Sequence, residues 1–212
     1  MVEAVRKPAG NRRGTLRDEQ KRATRARLVE SAGALFAARG YAAVTVDDIA
    51  AEVGCSRATF YLHFPGKVDI LRTLSAEGTV PSTLAIYQDL DRVLDTGSRT
   101  EFTGWIMRAI EWFQQYRALL RAWDEATVLE PEFAAIAREG MLSLPNVMTT
   151  YLARWPESGR DEARLRIELL STQIERFFTR WAMQGTIDVS AERAAEVLTD
   201  IWFPALSAPA QH

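Results

Sequence analysis

The chain has 212 residues, of which 47% are hydrophobic and 25% are charged, enough for a buried core in one large or two small domains. A single cysteine, Cys55, excludes an internal disulfide framework, and with two histidines it is too little for an ordinary zinc site, so no metal or other cofactor is expected. No apolar run approaches a membrane span and the basic N-terminus lacks a signal-peptide core, which predicts a cytoplasmic protein with no membrane partner.

The net charge of -2 is unevenly distributed along the chain. Residues 1–72 carry 13 Lys+Arg and 8 Asp+Glu, a net of +5, whereas residues 73–212 carry 13 and 20, a net of -7. A basic segment joined to an acidic body favours a polyanionic partner for the N-terminal third alone. A solvated tail that keeps the protein in solution accounts for the same pattern, and charge by itself does not separate the two interpretations.

The predicted elements before Pro65 are three helices, at 17–39, 45–53 and about 57–63. In each, apolar side chains recur at the three- and four-residue spacing of one helix face. A glycine follows each of the first two helices, which is a common stop signal. Thr45 and Ser56 stand where N-caps are expected, because their hydroxyls can accept a hydrogen bond from a free amide of the first turn.

Six further helices are predicted after Pro65-Gly66, at 67–95, 99–115, 117–128, 131–155, 161–184 and 190–206. Pro145 is expected to kink the helix that contains it. No segment alternates with period two for long enough to indicate a strand. The predicted fold class is therefore all-α, with about nine helices: an N-terminal three-helix helix-turn-helix domain and a C-terminal helical bundle.

Residues 45–63, TVDDIAAEVGCSRATFYLH, have the pattern of a helix-turn-helix in which Gly54 adopts the positive φ of the turn. The second helix of the motif is expected to expose Ser56, Arg57, Thr59, Tyr61 and Leu62. These are hydrogen-bonding groups with one apolar contact, which suits base edges and phosphates in a major groove. A tight helical hairpin inside a bundle has a similar pattern, but the basic N-terminus favours DNA.

The stretch from Thr45 to Lys67, TVDDIAAEVGCSRATFYLHFPGK, closely resembles the signature of the TetR family of regulators, and LFAARGYAAVT before it is similar to the end of the family's first helix. The resemblance covers about residues 20–75. The remainder is similar in helix count and length, with a weaker likeness to the lipophile-sensing repressors of actinobacteria. The resemblance to the TetR family implies a basic flexible arm over 1–18, a DNA-binding domain over 19–72, and a ligand-binding and dimerisation domain over 73–212.

The resemblance also assigns DNA contacts to seven residues: Thr45, Ser56, Arg57, Thr59, Tyr61, His63 and Lys67. Among these, Arg57 is the best candidate for reading a base, because its fork can bond O6 and N7 of guanine together. Thr45 and Lys67 would hold phosphates, whereas Ser56 could equally be a simple cap. Arg12, Arg13 and Arg17 could enter a minor groove, or the tail could add non-specific affinity only.

Tryptophan, phenylalanine and methionine crowd the middle helices, and together with the resemblance they predict a pocket for a small apolar or aromatic effector. The predicted lining residues are Trp105, Trp112, Phe113, Trp123, Phe133, Met141, Met148, Tyr151, Gln173, Phe177 and Trp181. Ordinary core packing accounts for aromatic residues at helical spacing equally well. Ser171, Gln173 or Tyr151 is expected to supply one hydrogen bond.

The last two helices carry more apolar positions than one core requires, and the resemblance implies that they pair with a second copy of the chain. The predicted dimer residues are Leu169, Phe178, Val197, Leu198, Ile201 and Trp202.

These expectations combine into a homodimeric repressor that binds a palindromic double-stranded operator and is released when an effector binds. A ligand-independent DNA-binding or protein-docking regulator is the alternative, and activation instead of repression stays open. No catalytic motif is recognisable, so neither enzyme activity nor a catalytic residue is expected.

Overall fold

A computed structural model describes residues 12–206, and every regular element in that range is helical. The α-helices are α1 (Arg12–Arg39), α2 (Val46–Val53), α3 (Arg57–Tyr61), α4 (Lys67–Leu74), α5 (Val80–Thr96), α6 (Arg99–Leu129), α7 (Pro131–Ser143), α8 (Thr149–Ala153), α9 (Arg160–Phe178) and α10 (Ala191–Leu206). A π-helical turn, Ser75–Thr79, joins α4 to α5 in one continuous rod. With that rod counted once, residues 12–206 form nine helices, and the all-α prediction is confirmed.

Helices α1 to α4 form an N-terminal head with its own core. Leu28, Phe36, Ile49, Phe60 and Ile70 are buried there, and each such side chain stabilises the fold by roughly 1.5–3 kcal/mol. The predicted caps are present, since α2 opens on a capping box and α3 on a serine cap. Between them the backbone turns through a glycine in the left-handed region, Gly54 at φ 73°.

Helix α1 begins at Arg12, five residues before its predicted start, and so extends into the segment 1–18 that was expected to be a flexible arm. Of the five added residues, two arginines and Leu16 have high helix propensity, whereas Gly14 and Thr15 do not. The minor-groove prediction for Arg12 and Arg13 concerns side chains that lie outside the described part of the structure. Residues 1–11 also lie outside it.

Helices α5 to α10 form a body around a second core that includes Leu90, Phe102, Ile106, Ile167 and Leu198. Helix α6, 31 residues and roughly 46 Å long, contacts α5 and α10 in the body and α1 in the head. The prediction of two helices here, 99–115 and 117–128, is wrong. Because no glycine or proline lies between 105 and 129, nothing ends the helix near its middle.

The predicted helix 131–155 is instead divided at Pro145. A 3-10 turn, Leu144–Val147, separates α7 from the short α8, because proline cannot donate the hydrogen bond that would continue the first helix. A further 3-10 turn, Glu157–Gly159, precedes α9, and a second π-helical turn, Thr179–Met183, ends it. None of the described helices combines the length and the apolar character needed to cross a membrane.

Candidate nucleic-acid interface and effector cavity

Helix α3 lies on the surface of the head and presents a mostly polar face. Phe60 is fully buried and anchors α3 against the head core. On the opposite side Arg57, Tyr61 and Leu62 are exposed, with Thr59 half-buried beside them. Hydrogen-bonding groups and an apolar contact on one free helix face provide the chemistry that reads base edges in a major groove.

The Arg57 guanidinium rests on two neighbouring side chains. Its Nη1 lies 2.7 Å from the Asp47 carboxylate, and its Nη2 donates to the Tyr61 hydroxyl over 3.2 Å. The hydrogen bond to Tyr61 and the charge of Asp47 raise the pKa of Arg57, so the side chain stays cationic. Exposed ion pairs are weak. A base edge that offers two acceptors can therefore compete with Asp47 for this guanidinium.

The hydroxyls of Thr45, Ser56 and Thr59 define the helix ends. Ser56 Oγ accepts from the Thr59 amide at 3.0 Å and lies 2.9 Å from Thr59 Oγ1. Thr45 Oγ1 accepts from the Asp48 amide at 3.1 Å and donates to the Asp48 carboxylate at 2.6 Å. Hydrogen bonds to the Asp48 carboxylate, first from the Thr45 hydroxyl, then from the Thr45 amide and from Arg39, lower the pKa of Asp48 to about 2. The three side chains therefore orient the motif, whatever else they contact.

Lys67 has a different place from the one predicted. Its ammonium donates to the backbone carbonyls of Tyr41 and Val44, both at 2.8 Å, and lies over the Tyr41 ring. Burial lowers the pKa of Lys67. The prediction of a phosphate contact is wrong for this conformation, because two of the three N–H groups hold the turn between α1 and α2 in place.

His63 is turned towards α1. Its Nδ1 is buried without a hydrogen-bond partner among the described residues, and burial, with the nearby charges of Lys21 and Arg25, lowers the pKa of the imidazole. The ring is therefore mostly neutral at pH 7 and adds no charge to the surface. Beside it, Arg17 and Lys21 line an open cleft that continues the α3 surface along α1. This extension was not expected from the sequence beyond the mention of Arg17.

A cavity of about 550 Å³ lies in the body between α5, α6, α7 and α9. Drug-sized ligands occupy cavities of this size. Its wall is mostly apolar, and six aromatic side chains contribute to it: Tyr87, Trp105, Trp112, Phe113, Trp123 and Phe178. Three charged residues also line it, Asp124, Arg138 and Glu175. Both π-helical turns border this space, through Thr79 and Thr179, and such turns are frequent at functional sites.

The structure brings five of the predicted pocket residues to this wall: Trp105, Trp112, Phe113, Trp123 and Met141. The other six lie elsewhere: Phe133, Met148, Tyr151, Gln173, Phe177 and Trp181. Phe133, Met148 and Tyr151 are buried in the two cores, and Gln173 accepts from the Trp202 indole at 2.6 Å. Phe177 stacks on Trp181, whose indole donates to the Val189 carbonyl. Their placement in the pocket was wrong, because residue type and helical spacing do not distinguish a cavity wall from a packed core.

Apart from Ser171, the cavity lining from α5 and α9 was missed. Tyr87 on α5 and Leu170, Ile174 and Phe178 on α9 face the cavity. The spacing of four between the three α9 residues is visible in the sequence and marks one helix face. The spacing does not show which other helix this face of α9 packs against, or whether a cavity lies between them.

The three cavity tryptophans have their indole N–H groups bonded to protein. Trp105 donates to the Ile86 carbonyl at 2.9 Å, Trp112 donates to Ser82 Oγ at 2.9 Å, and Trp123 donates to Ser75 Oγ. Their rings therefore contribute apolar faces, and no free donors, to the cavity. Ser75 lies in the π-helical turn of the rod, so the Trp123 bond links the cavity wall to the segment that leads into the head.

A second contact between head and body surrounds the end of α1. Tyr41 Oη donates to Glu130 Oε1 at 2.8 Å, and the Ala42 amide donates to Glu125 Oε2 at 2.9 Å. Burial and Glu130 raise the pKa of Tyr41. Gly40, at φ 80°, faces the same Glu125 carboxylate, and a β-carbon there would lie only 2.8 Å from it. We call Gly40, Tyr41, Ala42, Glu125 and Glu130 the joint.

The six residues predicted for the dimer interface fall into an exposed group and a buried group. Leu169, Val197 and Ile201 are 54%, 39% and 48% exposed on α9 and α10. Phe178, Leu198 and Trp202 are buried within the chain, so their assignment to a dimer interface is wrong. On α10, residues 197 and 201 share one helix face while 198 and 202 lie on the next, which turns inwards.

A helix-turn-helix with a free polar face is suited to reading duplex DNA. The model of the family described as bacterial regulatory proteins, tetR family, matches residues 28–74. This match confirms the predicted resemblance of the head to the TetR family.

Two curated relatives show how far the similarity extends. The HTH-type transcriptional regulator SrpR of Pseudomonas putida is 36% identical over 67 residues, which cover 32% of each chain. The HTH-type transcriptional regulator EthR of Mycolicibacterium smegmatis is 24% identical over 209 residues, covering 93% of this chain and 91% of EthR. The chain thus covers only about a third of the length of SrpR, whereas the more distant likeness to EthR includes the body.

Solved structures share the whole fold. A TetR-family regulator from Syntrophomonas wolfei superposes with a TM-score of 0.63 at 16% identity, covering 90% of this chain and 97% of that one. A transcriptional regulator from Saccharomonospora viridis, in complex with choline, gives a TM-score of 0.52 at 22% identity, covering 84% and 94%. These likenesses establish the arrangement of head and body.

Proposed function

We propose that the chain is a homodimeric, ligand-released repressor that reads a palindromic operator through α3. The observation that carries the proposal is that one continuous rod, α4 to α5, connects the head to the wall of the cavity in the body. Helices 12–74 act as the DNA-binding part, and the body acts as sensor and dimerisation domain.

The head supplies both classes of DNA contact. We infer that Arg57, Thr59 and Tyr61 on α3 contact base edges and neighbouring phosphates, and that Arg57 reads guanine once it leaves Asp47. Arg17 and Lys21 on α1 form no ion pair among the described residues, so their charges are available to the phosphate backbone. Lys67, held inside the head, keeps the α1–α2 turn rigid and is not part of the contact surface.

The body supplies the coupling. Thr79, Val80 and Thr83 of the rod line the cavity, and Trp123 on the opposite wall bonds Ser75 in the π-helical turn. A ligand that fits only with these walls moved apart shifts the rod and hence the head. To change operator occupancy it must prefer the displaced form by about 1–3 kcal/mol. The choline bound to the regulator of Saccharomonospora viridis supports a small-molecule effector for this body fold.

The exposed apolar stripe of α9 and α10 supports the dimer. Leu165, Leu169, Val197 and Ile201 leave a face of large apolar side chains uncovered, which is unusual for a helix pair without a partner. A two-fold dimer through this stripe would present two α3 helices roughly 34 Å apart, one turn of DNA.

Selection from a pool of random-sequence duplexes tests the proposal. The purified protein should enrich a near-palindromic sequence whose half-sites lie about one helical turn, or a whole multiple of it, apart. The double variant Leu169→Glu/Ile201→Glu should lose that two-fold pattern while keeping the head intact. Enrichment of no sequence, or of a single asymmetric site by both proteins, would contradict the proposed dimeric operator reader.

A further inference from the structure

The polar groups of the cavity wall differ in whether they already have a partner. Besides the three indoles, Tyr87 donates its hydroxyl to Ser171 Oγ, and Ser171 donates to the Ile167 carbonyl at 2.7 Å. Ser171, expected to bond a ligand, is therefore already engaged. Asp124 and Glu175 are different: among the described residues, neither carboxylate forms a hydrogen bond or an ion pair. Both are groups that accept and never donate while ionised.

The two carboxylates belong to one region of the wall. Asp124 projects from α6 and Glu175 from α9, and the charge of Asp124 contributes to raising the pKa of Glu175. Burial is the largest cause of the raised pKa of both groups, yet Asp124 and Glu175 are both exposed to solvent. Both carboxylates therefore lie where the cavity opens to water.

The cationic side chains nearby do not neutralise this pair. Arg176 lowers the pKa of both carboxyls but lies outside the 4 Å distance of an ion pair, and Glu125 opposes its effect on Asp124. Arg138 enters the lining from α7 and likewise forms no ion pair with either acid. Among the described residues, the cavity wall around Asp124 and Glu175 therefore offers two hydrogen-bond acceptors and no hydrogen-bond donor directed at them.

The rest of the wall suits a cation that carries an apolar body. The rings of Trp105, Trp112 and Trp123 line the cavity, and aromatic faces attract ammonium and guanidinium groups. A neutral apolar ligand would remove water from two carboxylates and return no hydrogen bond, which is costly. A cation supplies both the compensating charge and the donors.

We propose that the effector is an organic cation, with an ammonium or amidinium group between Asp124 and Glu175 and an aromatic or alkyl body among the cavity tryptophans. The inference rests on the ligand-responsive function proposed above, and it changes the expected effector from apolar to cationic and amphiphilic.

Three probes with one phenylalkyl body and different charge test the inference: phenylbutylammonium, phenylbutanol and phenylpentanoate. Calorimetric titration of the full-length protein at neutral pH should give at least about tenfold tighter binding of the cation than of the alcohol, with the anion weakest. Asp124→Asn and Glu175→Gln should each weaken the cation by about five- to tenfold and leave the alcohol within about twofold. Glu111→Gln, an exposed change on the outside of α6, is the matched control and should alter neither.

Equal or tighter binding of the alcohol, unchanged cation affinity in both cavity variants, or binding of no probe would each overturn the inference. Operator affinity measured in the same samples separates it from the proposed function. If the cation binds selectively and operator affinity is unchanged, the cation site stands and ligand release fails. If the alcohol binds without charge preference and releases the operator, ligand release stands and the cation site fails.

Discussion

The ion pair between Arg57 and Asp47 places opposite charges on the surface of the head that we propose meets DNA. Arg57 is 59% and Asp47 62% exposed, so water screens their attraction and the pair is readily exchanged for another partner. Asp47 itself repels phosphate. In the unbound head, Asp47 therefore competes with DNA for the Arg57 guanidinium. This competition is expected to restrain binding to DNA that offers no guanine at the right place.

Removing that competitor should strengthen DNA binding. Asp47→Asn frees the guanidinium and removes one negative charge, so affinity for the operator is expected to rise by about two- to fivefold, measured by fluorescence anisotropy. In the background of Arg57→Ala the same substitution should have a smaller effect, since the pair no longer exists. Glu52→Gln, another exposed acid on α2, is the control for charge alone. An equal gain from Glu52→Gln, or an undiminished gain without Arg57, would contradict the account of Arg57.

At the scale of elements, the joint and the rod fix the head on the body. Gly40 allows the chain to leave α1 with a positive φ directly beside the Glu125 carboxylate, and Tyr41 bonds Glu130 from the same turn. Alanine buried at 122 and 126 lets α6 approach α1 closely. The body thus contributes to the head core, and the two parts are expected to unfold together.

Two glycines give a matched test of this joint. Gly40→Ala places a β-carbon 2.8 Å from Glu125 in a backbone conformation that alanine disfavours, and is expected to lower the free energy of unfolding by about 1–3 kcal/mol. Gly140→Ala lies within α7, where no atom stands within 4 Å of the added carbon, and should raise it by about 0.5–1 kcal/mol. Urea unfolding followed by circular dichroism measures both. Stabilisation by Gly40→Ala would show that the joint is not strained as described.

The elements themselves were largely predictable from the sequence. Caps and glycine stops located α2 and α3 because those signals act within a few residues. The sequence could not predict that Phe133, Met148 and Tyr151 lie in packed cores instead of the cavity wall, since both places require apolar side chains at the same helical spacing. Lys67 was misplaced for a related reason: whether a long cationic side chain turns to phosphate or to carbonyls depends on a turn 23 to 26 residues away.

At the scale of the whole molecule, the proposed dimer through the α9–α10 stripe is what would let two heads act together. Leu198 and Trp202 complete the core of one chain, whereas Leu169, Val197 and Ile201 remain available to a second copy. Since each head on its own offers one short recognition helix, operator affinity depends on the pair being joined.

Charge on the stripe should therefore separate the two copies. Leu169→Glu/Ile201→Glu is expected to convert the protein to monomers in sedimentation velocity and to reduce operator affinity by at least about tenfold, because the second half-site is no longer linked to the first. Ile136→Glu places the same charge on an exposed apolar residue of α7, away from the stripe, and should leave the dimer intact. A dimer that survives the double substitution would assign the interface to another surface.

The most direct measurement is fluorescence anisotropy of the full-length protein on its selected duplex and on a scrambled duplex, across a salt series and with Arg57→Ala. The account predicts that the selected duplex binds about a thousandfold more tightly than the scrambled one. Affinity for both should fall as salt rises. Arg57→Ala should lower the affinity for the selected duplex by about ten- to a hundredfold and leave the scrambled duplex nearly unchanged. Equal binding to both duplexes, or a loss on both of the same size with Arg57→Ala, would contradict sequence reading by α3.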